Sequence, residues 1–206
     1  MTGRGFPVQA DRSSEARQLE ALRAGHDGAF DGLLARWQRP LFAFAWRYLH
    51  NRADAEDVVI ETFVRLHEQR TRLRADTNLS AWLFTTLANL CHNHHRWRTR
   101  HPETSLERPP AETNSDVPPV ELAAATPAAN QALENSETAL ALRAAIEQLP
   151  HDQKTVLLLH HYEHLSYREI GAVVGCAERG VETRLYRARQ QLRAELTPFL
   201  REALRS

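Results

Sequence analysis

Four carboxylates lie within a stretch of eight residues and could support several kinds of chemistry. They are Asp54, Glu56, Asp57 and Glu61. A carboxylate cluster can supply general acids and bases, hold a metal ion, or bind the basic surface of a partner protein. The sequence places no candidate nucleophile and no phosphate-binding glycine loop beside it. We therefore predict that the cluster binds a protein and that the chain is not an enzyme.

Histidine and cysteine side chains form two further groups with metal-binding potential. The members are Cys91, His92, His94 and His95 in one group, and His160, His161 and His164 in the other. His160 and His164 are four residues apart, which would place them on one face of a helix. The sequence nevertheless lacks the His-Glu-x-x-His and Cys-x-x-Cys patterns of common zinc sites. We predict structural or incidental roles for these groups, and no cofactor.

Arginine residues gather where they could contact nucleic acid. Arg70, Arg72 and Arg74 lie in a polar loop that spans residues 69–78. A basic segment, residues 94–100, ends the next predicted helix and includes Trp97, whose ring could stack on a base. Either segment could instead be an ordinary solvated surface.

Charge and proline content divide the 206-residue chain into segments. Residues 23–100 carry a net charge of +4 and residues 138–206 a net charge of +2, whereas residues 101–137 carry −6 and six of the ten prolines. That stretch contains no aromatic residue and cannot bury enough apolar surface to fold, so we predict a flexible linker. The predicted organisation is an N-terminal extension (1–22), a first domain (23–100), an acidic, proline-rich linker (101–137), a second domain (138–196) and a C-terminal tail (197–206).

Helical spacing of apolar residues indicates an all-α first domain. Val59, Phe63 and Leu66 recur at i, i+4 and i+7 and predict one buried helix face. Asn51 precedes this helix, where its side chain can cap free backbone N–H groups. Pro40 lies inside the preceding helical pattern and is expected to kink or restart that helix.

The second domain shows the pattern of a helix-turn-helix. Ser166 and Glu169 have the spacing of a capping box at the start of a short helix, which Gly175 ends. A longer helix follows and is expected to stop at Pro198, and Asp152 is expected to cap an earlier helix. The outward face of the longer helix carries Arg179, Thr183, Tyr186, Arg187 and Gln190. Such side chains suit phosphates and base edges in the major groove of DNA.

Composition limits the cellular setting. Hydrophobic residues make up 42% of the chain, Lys and Arg balance Asp and Glu at 26 each, and only two cysteines are present. The longest apolar run has six residues, far short of a membrane span. We predict a cytoplasmic protein without membrane insertion.

Two ordered motif sets resemble those of extracytoplasmic-function (ECF) sigma factors of the sigma-70 family. The first set is the acidic helix start that leads from Asp54 to Leu66, the sequence Ala81-Trp82-Leu83-Phe84, and the basic end at residues 96–100. The second set is Leu165-Ser166-Tyr167-Arg168-Glu169-Ile170 and Arg184-Leu185-Tyr186-Arg187-Ala188-Arg189. The resemblance implies an all-α fold with a region-two and a region-four domain, joined by the linker.

The resemblance also implies partners and site residues. The partners are core RNA polymerase, promoter DNA and an anti-sigma factor. The implied polymerase-binding residues are the carboxylates Asp54, Glu56, Asp57 and Glu61. The implied contacts to the minus-ten element are Arg70, Arg72, Arg74, Asn78, Asn89, Arg96, Arg98 and Arg100. The implied contacts to the minus-thirty-five element are Arg168, Arg179, Glu182, Thr183, Arg184 and Arg187.

Several positions depart from the family pattern, and two alternative functions stay open. The reading helix starts with Arg179-Gly180-Val181-Glu182, where Gly-Thr-Val-Lys is common in the family, and Thr85 stands where a basic residue is frequent. Glu182 would repel phosphate or accept from a cytosine amino group. One alternative is an operator-binding regulator that acts without polymerase. A more distant alternative is a metal-dependent enzyme built on the histidine groups.

Overall fold

A computed structural model describes residues 12–26, 28–74, 76–101 and 137–203, and the regular structure in these ranges is entirely helical. The helices are α1 (Arg12–Arg23), α2 (Ala29–Leu49), α3 (Arg52–Gln69), α4 (Leu79–Arg100), α5 (Glu137–Glu147), α6 (His151–His161), α7 (Tyr167–Val174) and α8 (Glu178–Ala203). The all-α prediction with two helical domains is confirmed. The predicted linker lies outside the described residues, except for its two ends.

The first domain consists of α1–α4 packed around an aromatic core. Phe84 of α4 makes edge-to-face contacts with Trp37 and Phe44 of α2, with ring centroids 6.3 and 5.8 Å apart. The predicted cap is confirmed: the Asn51 side chain accepts a hydrogen bond from the backbone N–H of Asp54 at 3.1 Å. Helix α1 ends at Arg23, where the predicted first domain begins, and it contributes the buried Leu19 and Leu22 to this core.

Helix α2 continues through Pro40, so the expected restart is wrong. The ring removes only one backbone donor, and Pro40 is itself buried. Leu33, Trp37 and Leu41 on either side are fully buried. Burial of such side chains contributes roughly 1.5–3 kcal/mol each, so tertiary packing outweighs the local cost of the proline.

The second domain consists of α5–α8 and contains the predicted helix-turn-helix. The backbone N–H of Ser166 donates to Glu169 Oε2 at 2.8 Å, and the backbone N–H of Glu169 donates to Ser166 Oγ at 3.3 Å. This confirms the capping box. Gly175 ends α7 with φ of 66°, a left-handed conformation that favours glycine.

Two helix ends in the second domain differ from expectation. Asp152 does not cap α6, which begins at His151 after Pro150; the carboxylate instead pairs with Arg184 of α8 at 3.4 Å. Helix α8 continues past Pro198 to Ala203. The missing donor at Pro198 leaves the Ala194 carbonyl without its helical partner, and Ala194 is exposed to water, which can replace that hydrogen bond.

The two domains pack against each other. Helix α4 contacts α7, and α2 contacts α6. Within the described ranges, no helix combines the length and the apolar character needed to cross a membrane.

Candidate protein and nucleic-acid interfaces

The exposed face of α3 combines carboxylates with uncovered apolar side chains. Asp57, Ile60, Glu61 and Val64 share this face because they are spaced at i, i+3, i+4 and i+7. Ile60 is 62% exposed and Val64 is 44% exposed. Large apolar side chains grouped in this way on a protein surface mark interaction sites. Neither residue was among the predicted site residues, although both lie off the buried Val59–Phe63–Leu66 stripe, and that position is a signal of exposure that the sequence carries.

An apolar groove runs between α2 and α3 beside this face. Its volume is about 730 Å³, and its apolar lining includes Phe30, Leu34 and Phe63. Asp31 and Glu68 also line it and are exposed. The groove has the composition expected of a site for an apolar helix face or side chain with basic residues beside it.

The four predicted carboxylates do not form one cluster in space. Asp54 turns toward α4, where it pairs with the Arg98 guanidinium and lies 3.6 Å from His94 Nε2. Glu56 and Glu61 pair with arginines four residues away along α3, at 2.8 and 2.7 Å respectively. Exposed pairs of this kind contribute little to stability and exchange partners at low cost. Asp57 and Glu61 therefore lie best for a partner of α3, whereas Asp54 joins α3 to α4.

The three arginines of residues 69–78 differ in their exposure and in the hydrogen bonds of their guanidinium groups. Arg72 is exposed. Arg74 is exposed too and pairs with Asp76 at 2.9 Å, and the guanidinium lowers the pKa of that carboxyl. The Arg70 guanidinium donates to the His67 carbonyl at 2.6 Å. Asn78 caps α4, because its Oδ1 accepts from the Ala81 N–H at 3.0 Å, so its oxygen already has a structural role.

Three predicted minus-ten residues share one exposed face of α4, which we term the α4 strip: Asn89, Arg96 and Arg100. At about 100° per residue they lie within roughly 40° of one another around the helix axis. Trp97, beside the strip, is half exposed and stacks on His101 with ring centroids 5.1 Å apart. Arg98 lies on the opposite side of α4, paired with Asp54, and does not join the strip.

The outward face of α8 carries most of the predicted minus-thirty-five residues. Arg179, Glu182, Thr183 and Arg187 are exposed, while Val181, Leu185 and Ala188 are buried. The Thr183 hydroxyl donates to the Arg179 carbonyl at 2.9 Å. Arg168 is exposed in the first turn of α7.

Two residues of α8 differ from what was predicted for contacts to the minus-thirty-five element. Arg184 is half-buried, donates to the Gly180 carbonyl at 3.2 Å and pairs with Asp152, so it braces α8 against α6. Tyr186 is 63% exposed and also lies on the outward face, although it was not among the predicted contacts to the minus-thirty-five element. Its position on that face could be read from the helical spacing alone.

Close packing explains the glycine at position 180. A Cβ at this position would lie 3.0 Å from Cys176 Sγ and 3.1 Å from Arg184 Nη1. The departure from the common family residue therefore allows a close approach between the turn and the start of α8.

Several histidines make polar contacts between helices, among them His94 with Asp54, His95 with Glu147 and His151 with Tyr48. Among the residues that the structure describes, no group of three or more His, Cys, Asp or Glu side chains is placed to hold a metal ion. His92 of the first domain stacks on His151 of the second, with ring centroids 4.2 Å apart. Cys91 is fully buried, and burial raises the pKa of its thiol.

Comparison with known protein families decides the assignment. The sigma-70 region 2 family matches residues 33–101, and the sigma-70 region 4 family matches residues 139–192. The chain belongs to the ECF sigma factors of the sigma-70 family. This assignment favours a sigma factor over the operator-binding alternative, and the family is not a class of catalytic enzymes.

Relatives of this sigma factor match it over nearly their whole length. It is 29% identical to the RNA polymerase sigma-H factor of Pseudomonas aeruginosa over 196 residues, which cover 93% of this chain and 98% of the relative. It is 27% identical to the ECF RNA polymerase sigma-E factor of Haemophilus influenzae, with coverages of 93% and 100%.

Two solved structures share the fold. CnrH in complex with the cytosolic domain of CnrY gives a TM-score of 0.65 at 23% identity, with 91% of this chain and 99% of that chain covered. The sigma factor RpoE in complex with the anti-sigma factor NepR from Bartonella quintana gives 0.53 at 24% identity, with coverages of 82% and 98%.

Proposed function

We propose that this sigma factor binds core RNA polymerase through the α3 face and the α2–α3 groove. The exposed pair Ile60 and Val64 carries this proposal, because water-exposed apolar side chains at the edge of an apolar groove gain free energy when a partner covers them. Asp57 and Glu61 on the same face would attract a basic partner surface and orient it.

Promoter contacts are divided between the two domains. The α4 strip and the exposed arginines of the 69–78 loop would hold the single-stranded minus-ten element, with Trp97 available for base stacking. The outward face of α8 would enter the major groove at the minus-thirty-five element, with Arg179 near the base edges and Arg187 near phosphate. The sigma factor would act in the cytoplasm, perform no covalent chemistry, and be held inactive by an anti-sigma factor. Residues 23–100 and 138–196 would be the functional domains.

The polymerase interface is tested by the affinity of labelled full-length protein for core RNA polymerase. Ile60→Asp and the double reversal Asp57→Lys/Glu61→Lys should each weaken binding at least about tenfold, because the first places a charge in an apolar contact and the second adds repulsion. Glu20→Lys reverses an exposed charge on α1 and is the matched control. Unchanged affinity in both folded α3 variants would remove this surface from the polymerase interface.

The promoter assignments are tested by transcription from libraries randomised at the upstream and minus-ten elements. Arg179→Ala should change which upstream bases matter, at about 1–3 kcal/mol for a lost bidentate contact, whereas Arg187→Ala should lower output evenly. Arg193→Ala, an exposed position outside the reading face, is the control. Identical base preferences in all four proteins would mean that α8 does not read DNA. Nanomolar duplex binding by the free protein at physiological salt would instead favour the operator-binding alternative.

A further inference from the structure

The basic end of α4 extends beyond the hydrophobic core. Cys91 is the last buried side chain of this helix, and residues 92–100 are all exposed or half-buried. This segment carries Arg96 and Arg100 of the α4 strip, and Trp97 beside it. A helix end without buried apolar contacts frays unless polar contacts hold it, because its terminal hydrogen bonds open at little cost in free energy.

Asp54 of α3 holds this end from the side that faces the core. Its Oδ2 accepts a hydrogen bond from the Arg98 guanidinium, and its Oδ1 lies 3.6 Å from His94 Nε2. At about 100° per residue, Arg98 is only about 20° from Cys91 around the helix axis, so it continues the buried stripe of α4 past the end of the core. The side chains of Asp54 and Arg98 are 18% and 35% exposed, and partial burial strengthens a charged pair relative to one in open water.

Both charges also suit the helix ends that carry them. Asp54 lies in the first turn of α3 and Arg98 in the last turn of α4. The partial positive charge at a helix N-terminus favours an anion, and the partial negative charge at a C-terminus favours a cation. The Asn51 cap fixes this start of α3, because it binds the backbone N–H of Asp54 itself. The pair therefore joins two well-defined helix ends, and each charge is stabilised by its own helix as well as by its partner.

The pair sets the direction in which the strip faces. Arg98 is about 160° from both Arg96 and Arg100 around the helix axis. When Asp54 holds Arg98 inward, the two strip arginines are held outward, where both are exposed. Other side chains of this segment contact the second domain, whereas Asp54 anchors it within the first.

Asp54 differs in this respect from the neighbouring carboxylates of α3. It is spaced at i, i+3 and i+7 with Asp57 and Glu61, and all three were predicted to bind polymerase. The Glu61 side chain is 45% exposed and pairs with Arg65 within α3, a contact that a partner can replace at low cost. The Asp54 carboxylate is engaged by another helix, and its withdrawal would remove a charged hydrogen bond from the half-buried Arg98 guanidinium.

We propose that Asp54 is a positioning residue for promoter opening: it orients the end of α4 through Arg98, and the α4 strip then contacts the minus-ten strand. Asp54 and Arg98 themselves touch neither polymerase nor DNA. This role rests on the proposed binding of the minus-ten element by the α4 strip. The start of α3 thereby acts in DNA capture, separately from polymerase binding by Asp57 and Glu61.

The test compares holoenzymes that contain wild type, Asp54→Ala, Arg98→Met or both substitutions. The probe is single-stranded DNA with the minus-ten sequence that wild type selects from the randomised library. Each single variant should bind core polymerase with wild-type affinity and bind the probe about tenfold more weakly, since a charged hydrogen bond no longer orders the strip. The double variant should lose no more than either single variant, because both substitutions remove one contact. Asp54→Glu restores the carboxylate and should recover most of the affinity, and Glu20→Gln, which removes an exposed carboxylate from α1, should change neither quantity.

Two further measurements separate positioning from direct contact and from a general loss of structure. The salt dependence of probe binding should keep its slope in Arg98→Met, because the strip makes the same phosphate contacts once it is bound. Amide hydrogen exchange in free Asp54→Ala should accelerate over residues 94–100 and stay unchanged in α2. Arg98→Met carries the whole test if Asp54→Ala does not fold.

Each contrary outcome overturns an assignment. Weaker polymerase affinity with normal probe binding in Asp54→Ala would return Asp54 to the polymerase interface. Stronger probe binding in Asp54→Ala, or a salt slope that falls by about one in Arg98→Met, would show that Arg98 binds DNA itself. Normal affinity for both partners in the folded single variants would show that the pair positions nothing. An Asn89→Ala/Arg96→Ala holoenzyme that bound the probe normally would instead overturn the proposed role of the strip.

Discussion

The two glycines that flank the turn of the helix-turn-helix should respond differently to alanine. At Gly171 in α7, a Cβ would lie 2.5 Å from the backbone carbonyl oxygen of Cys176. At Gly180 in α8, the nearest atoms to a Cβ are Cys176 Sγ at 3.0 Å and Arg184 Nη1 at 3.1 Å. The atom that obstructs position 171 belongs to the backbone of a turn, which is closed by a 2.9 Å hydrogen bond from the Cys176 N–H to the Gly171 carbonyl. The atoms nearest to position 180 belong to side chains, which can rotate away.

The magnitudes follow from this difference. Alanine in place of glycine gains up to about 1 kcal/mol of helix propensity at either position. Ordinary C···O contacts begin near 3.3 Å, so Gly171→Ala forces the turn open by about 0.8 Å, and overpacking of this kind costs about 1–3 kcal/mol. We expect a net loss of about 1–2 kcal/mol for Gly171→Ala. Gly180→Ala should lie within about 0.5 kcal/mol of wild type, because small side-chain rotations offset the propensity gain.

Amide hydrogen exchange in α7 and α8 is the suitable assay, since all four tryptophans lie in the first domain and their fluorescence reports on that domain. Cys176→Ala supplies the matched background. It removes the sulfur beside position 180, so Gly180→Ala should become stabilising there, and it leaves the carbonyl that obstructs position 171. A stable Gly171→Ala variant, or its rescue by Cys176→Ala, would refute the geometry on which this reasoning depends.

Three further predictions concern caps and titrating groups. Ser166→Ala should lower the free energy of unfolding of the helix-turn-helix by about 1 kcal/mol in urea denaturation, while Glu169→Gln, which keeps an acceptor, should cost less. Burial lowers the pKa of His151 from 6.5 to about 4, so the folded state binds fewer protons than the unfolded state. The contribution of this group to stability is therefore complete above pH 6.5 and should be lost as the pH falls toward 4. In thermal denaturation, His151→Gln should reduce the change in stability over this pH range. Burial raises the pKa of Glu163 from 4.5 to about 7, so this group should reduce stability as the pH rises from 4.5 to 7; a Glu163→Gln variant less stable than wild type at pH 8 would show that the Arg47 pair outweighs burial.

Local features of the fold could be predicted from sequence because they depend on neighbours along the chain. The Asn51 cap and the Ser166–Glu169 box each join residues three positions apart, and both are present. The exposed face of α8 follows from helical periodicity. The helix breaks expected at Pro40 and Pro198 are absent, because a local rule for proline does not include the packing of the helix or the exposure of the freed carbonyl.

The sequence alone determined the helical class, the two domains and the motifs of the family, since periodicity and capping are written in residues a few positions apart. Only the tertiary structure decided what each surface faces. In the folded protein, Ile60 and Val64 are exposed beside a groove, Asp54 pairs with Arg98 of α4, and Lys154 of the second domain is buried against Tyr48 of the first. Periodicity states which helix face is apolar or charged, but the element that covers it lies tens of residues away, and the free energy of that contact depends on the relative placement of the helices.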